Sequence, residues 1–116
     1  MRIDGENWIK ASVEYEDRTL SRLGSVVTNL GFSDWATQDI SSSVRALGHR
    51  IRRAGSDFMV EWSAQGEEWH QARIAHLHAL GAAEDVQIGI YACSPLGDGF
   101  QCRFEYVEIA GARAET

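Results

Sequence analysis

Gly24-Ser25-Val26-Val27-Thr28-Asn29-Leu30-Gly31-Phe32-Ser33-Asp34-Trp35-Ala36-Thr37 is the centre of the stretch, Trp8 to Ile40, that decides how this chain is read. Val26, Val27 and Thr28 are β-branched and favour extended backbone. They lead into a segment rich in turn formers, Asn29, Gly31, Ser33 and Asp34. Trp35 opens a second extended run that ends at Ile40. Two strand-forming runs joined by turn chemistry predict a β-hairpin.

The same grammar extends in both directions. Upstream, Asp4 to Asn7 reads as a turn, and Trp8 to Tyr15 alternates, with Lys10, Ser12 and Glu14 opposed to Ile9, Ala11, Val13 and Tyr15. Period two of this kind marks a half-buried strand. Glu16-Asp17-Arg18 reads as a charged turn, followed by an irregular link through Leu23. Downstream, Ser41 to Ser43 is a polar break. Val44 to Arg53 alternates loosely, with a short helix as the competing reading.

Phe58, Val60 and Trp62 share one face of a strand over Phe58–Ser63. After a turn at Ala64 to Glu68, Trp69 to Leu77 is a further strand, and Ala79 to Glu84 is a loop or single turn, too short to be a stable helix unaided. Val86–Cys93 and Phe100–Tyr106 are predicted as the last two strands, around a turn set by Pro95, Gly97 and Gly99. Seven or eight short strands without a strong helical signal predict an all-β fold, an antiparallel β-sandwich or jelly roll. The domain is expected over residues 1–109, with 110–116 as a frayed tail.

Composition bounds the function. The chain has 116 residues, enough for one domain, with 44% apolar and 24% charged residues. A net charge of −6 and a single lysine, Lys10, argue against a nucleic-acid surface, which wants clustered cations. No apolar run approaches the ~20 residues of a membrane span, and Met1 to Asp4 carries no signal-peptide core, so a cytoplasmic location is the expectation. Cys93 and Cys102 flank a turn. They read as two reduced, buried thiols, with a disulfide as the alternative.

Four patterns, in order, add a resemblance. They are Arg2 to Ala11; Ser25 to Asn29 followed by Ser33-Asp34-Trp35; Phe58 to Trp69 with its Gly66-Glu67-Glu68-Trp69 turn; and Tyr91 to Phe100. Together they resemble a bacterial and fungal domain family of unknown function with a concanavalin-A-like lectin/glucanase sandwich, some members of which carry the label "regulation of enolase". The resemblance covers nearly the whole chain. Members are longer and begin several strands earlier, so by resemblance this chain corresponds to the C-terminal part of the unit. A sandwich short of strands exposes an edge and an apolar face, which predicts a homodimer that completes it.

His70, His76 and His78 share a strand parity and could line a zinc-binding stripe. Ala72 and Ile74 lie in the same stripe, which favours a core or interface face, so no metal site and no cofactor is expected. Glu14, Glu61 and Glu105 fall on outward positions and show no paired-acid motif, which disfavours a glycosidase. No serine sits in a nucleophile elbow, and no Gly-rich phosphate loop opens a helix.

Trp8, Trp35, Trp62 and Trp69 remain. Trp62 is read as core, and Trp35 beside Asp34 and Asn29 is the best candidate for stacking on a sugar ring. The expected function is a non-enzymatic binding or interaction module. Carbohydrate is the leading ligand class by analogy of fold, and Asn29, Asp34, Trp35, Arg73 and His76 form the candidate site. The alternatives are a regulator that binds a metabolic enzyme and a glycosidase-like hydrolase.

Overall fold

The computed structural model describes residues 1–81 and 85–111. Seven strands are found among them: β1 (Arg2–Asp4), β2 (Asn7–Tyr15), β3 (Leu20–Asn29), β4 (Phe32–Ser41), β5 (Leu47–Ala54), β6 (Asp57–Ala64) and β7 (His70–His76). They form two antiparallel sheets in sequential order, β1-β2-β3-β4 and β5-β6-β7. The sheets pack as a β-sandwich. Ile9 and Val27 from the first meet Phe58, Val60 and Ala75 from the second, and Leu77 and Leu80 from the turn after β7 complete the cluster. Ser56 holds that turn, accepting from the Leu77 amide at 3.0 Å and donating its hydroxyl to the Leu80 carbonyl. No helix among the described residues is long and apolar enough to cross a membrane.

The central hairpin forms, with a tighter turn than its composition implies. Asn29 pairs with Phe32, so the loop is Leu30 and Gly31 alone, at φ 53° and 82°. Two left-handed residues make the mirror-image turn whose twist matches the flanking strands. Ser33 and Asp34, expected in the turn, lie in β4 instead. The turn is braced by its neighbours: the Leu30 amide donates to Asn7 Oδ1 at 3.0 Å, and the Gly31 amide to the Glu6 carbonyl at 2.9 Å. β3 also begins earlier than expected. Asp17 Oδ1 accepts from the Thr19 and Leu20 amides. That tight turn brings Leu20 directly into register with Ser41 where an irregular link was predicted.

The second sheet settles one open choice and corrects two expectations. Leu47–Ala54 is a strand, so the alternating reading prevails over the helical one. In β7, Arg73 pairs with Val60 while Gln71 pairs with Glu61, leaving Ala72 as the extra residue of a bulge. The bulge inverts side-chain parity along the strand. His70 stacks on Trp62, ring centroids 4.7 Å apart, whereas His76 pairs across from Asp57, so the expected three-histidine stripe is split.

The other correction is Glu61, expected to be solvated but buried at 6% exposure. Arg50 holds its carboxylate with two hydrogen bonds of 3.0 Å, and Arg52 adds one of 2.8 Å. Arg50 in turn lies 4.2 Å from the Trp69 ring centroid. A Cβ on Gly48 would lie 3.0 Å from that indole, so a larger residue there would have to push the ring aside.

The last two predicted strands do not join either sheet. Gln87 forms a single bridge to Arg2, with hydrogen bonds of 2.9 and 2.8 Å, and no strand is assigned over residues 88–111. Cys93 and Cys102 are therefore free and exposed, not buried. Residues 110 and 111 are exposed without regular structure, and the expected tail at 112–116 lies outside the described residues, as does 82–84 of the predicted loop.

Two outcomes follow. Leu30 is 63% exposed, so Leu30→Asn relieves left-handed strain without uncovering core and should raise stability by about 1 kcal/mol in urea unfolding. Glu61 has its pKa held below the usual glutamate value, first by the Arg50 hydrogen bonds and then by Arg52, against the opposing effect of desolvation. The resulting stability is complete above the unfolded-state pKa of about 4.3 and is lost as pH falls through the lower folded value. Glu61→Gln should therefore flatten part of the acid limb of a stability–pH curve.

Candidate functional site

The edge strands β4 and β7 belong to different sheets and run close together at one end of the sandwich. Between them opens a cleft of about 340 Å³, whose floor includes the buried Val27 and Ala75. Its size matches the lower range of small-molecule sites, about 300–1,000 Å³. A second concavity between the sheets, near Trp62 and His49, is about 20 Å³. That is room for about one water.

Four of the five candidate residues line the cleft: Asn29, Asp34, Arg73 and His76. They do different things. Asn29 is structural, because its Nδ2 donates to the His76 carbonyl and its Oδ1 accepts from the His78 amide, both at 2.8 Å. One side-chain amide thus satisfies two backbone groups at the end of β7, fixing the cleft's width. Asp34 Oδ1 receives Arg73 Nη1 at 3.1 Å across the gap between the sheets. The carboxylate side chain is 72% exposed while the guanidinium is largely covered. Arg73 Nε is a buried donor without a partner among the described residues. His76 Nδ1 lies 2.7 Å from Asp57 Oδ1, which orients the ring.

Trp35 lies elsewhere. It follows Asp34 in a regular strand, so its side chain takes the opposite face, where its Nε1 lies 3.4 Å from the position of a Cβ on Gly24. A ligand in the cleft does not reach it. Sequence reasoning missed Phe32 and His78. Phe32 is 83% exposed at the rim, and period two places it on the same face as Asp34, two residues on. That signal was present in the sequence. His78 sits in the turn after β7, where no periodicity applies, and its ring centroid is 5.0 Å from that of His76.

Asp34 is the single carboxylate lining the cleft among the described residues, whereas glycoside hydrolysis uses two facing acids. Among the described residues, no group of three or more His, Cys, Asp or Glu is placed to hold a metal ion.

Fold and site together define a small two-sheet β-sandwich domain with an open cleft, lined by both polar and apolar residues, at the seam between its sheets. The chain belongs to the family described as protein of unknown function (DUF1349), whose family model matches residues 1–112. No curated protein and no solved structure matches it.

The Asn29 bridge gives a sharp stability test. Asn29→Ala leaves a backbone donor and acceptor at the end of β7 without their partners and should cost about 1–3 kcal/mol in urea unfolding. Asn29→Asp should cost at least as much, because a carboxylate oxygen facing the His76 carbonyl repels it.

Proposed function

We propose that this protein is a non-enzymatic binding module, and that its ligand is a small polyhydroxylated molecule of the carbohydrate class held in the cleft between β4 and β7. The observation that carries this reading is the Asp34–Arg73 pair on the cleft wall, a carboxylate acceptor and a guanidinium donor side by side above an apolar floor. Vicinal hydroxyls both donate and accept, so such a pair satisfies two neighbouring hydroxyls at once. Charge-assisted hydrogen bonds are the stronger kind. Phe32, exposed at the rim, offers a flat apolar face to the C–H side of a sugar ring. The resemblance to concanavalin-A-like lectin/glucanase sandwiches supports the choice of ligand class.

Binding to a panel of immobilised mono- and disaccharides tests this. Asp34→Asn and Phe32→Ala should each weaken the best binder about tenfold or more, while Trp35→Ala, on the opposite face, should leave it unchanged. A panel without a binder, or binding that survives Asp34→Asn, overturns the proposal.

A further inference from the structure

Residues 88–111 make no backbone–backbone hydrogen bond among the described residues, yet their sequence keeps a strand's alternation. The first part is tethered, by Gln87 to Arg2 and by Lys10, whose Nζ lies 5.9 Å from the Tyr91 ring centroid. The second part, Phe100 to Ile109, is not. Phe100, Phe104, Tyr106, Val107 and Ile109 are each between 48% and 72% exposed. An apolar, strand-competent segment whose backbone is unpaired among the described residues is a template for another strand.

Its charges identify the occupant. Arg103 and Glu105 flank Phe104, and in the single chain they form an exposed ion pair at 3.2 Å. We infer that two copies of this chain associate by antiparallel pairing of Phe100–Glu108 across a two-fold axis at Phe104. In that register Arg103 lies opposite Glu105 of the partner subunit, twice per dimer by symmetry. On the other face Phe104 meets its own copy, and Cys102 lies opposite Tyr106 of the partner subunit, an arrangement of cross-strand pairs that stabilises sheets.

The neighbouring solutions are disfavoured. Residues directly opposite each other share a face, so the axis passes through a residue. Moving it to Arg103 sets arginine against arginine, and moving it to Glu105 sets glutamate against glutamate. Parallel pairing in register makes both conflicts at once. Among the registers centred on residues 103 to 105, the self-complementary charge pattern therefore favours a second copy paired about Phe104. It does so independently of the cleft and of what the cleft binds.

A two-stranded ribbon is marginal in water by itself, so the dimer is expected to be concentration-dependent. Size exclusion with light scattering, loaded at about 1 to 500 µM, should show the mass rising towards twice that of the chain. The Arg103 and Glu105 side chains are 85% and 66% exposed, so reversing them leaves the sandwich intact. Arg103→Glu or Glu105→Arg alone should weaken the dimer about tenfold, and the double reversal should restore it. With Cys93→Ser and Cys102→Ser in place, Phe104→Cys should cross-link the two copies under mild oxidation. A chain that stays monomeric throughout overturns the inference. So does a dimer indifferent to the single reversals, or one that the double reversal fails to rescue.

Discussion

The side chain of Asn29 holds this sandwich at the point where its two sheets must be kept in fixed relation. Hydrophobic burial brings the sheets together, but burial is non-directional and does not set how their edges align. Asn29 supplies direction, because one amide both donates to the His76 carbonyl and accepts from the His78 amide. The hairpin that carries Asn29 is itself pinned by Asn7 through the Leu30 amide. The cleft, the Asp34–Arg73 pair across it and the seating of Leu77 and Leu80 in the core all follow from that alignment.

A second polar device operates on the other face of the smaller sheet. Glu61 is a buried carboxylate that would be costly without compensation. It is tolerated because Arg50 and Arg52 surround it with charged donors while Trp69 covers Arg50. The sandwich therefore has a compact apolar centre and two polar anchors, one at the seam and one on an outer face. The anchors specify register where apolar packing alone tolerates sliding.

Most of the fold was legible because period two is a local property. β2, the central hairpin and β6 could be placed from alternation and turn residues alone. The failures have distinct causes. The bulge at Ala72 changes parity without any mark in composition, so the His70, His76 and His78 stripe was drawn on a single face when it is split. Phe100 to Tyr106 has a strand's pattern without a strand's partner, and pattern records readiness to pair, not pairing. Trp35 was grouped with Asp34 because they are adjacent in sequence, although adjacency in a strand guarantees opposite faces.

By itself, then, the sequence determined the all-β class, the central hairpin with its turn placed broadly between Asn29 and Asp34, and the polar character of the Asn29, Asp34, Arg73 and His76 positions. These depend on side-chain alternation and turn preference, which act over a few residues. Tertiary structure alone decided that those four positions meet in one cleft, that Trp35 is excluded from it, and that Glu61 is buried. Each of these depends on which strand edges lie side by side, and edge pairing is fixed by contacts between residues dozens of positions apart, such as Asn29 with His76 and Asp34 with Arg73. Local periodicity carries no information about them.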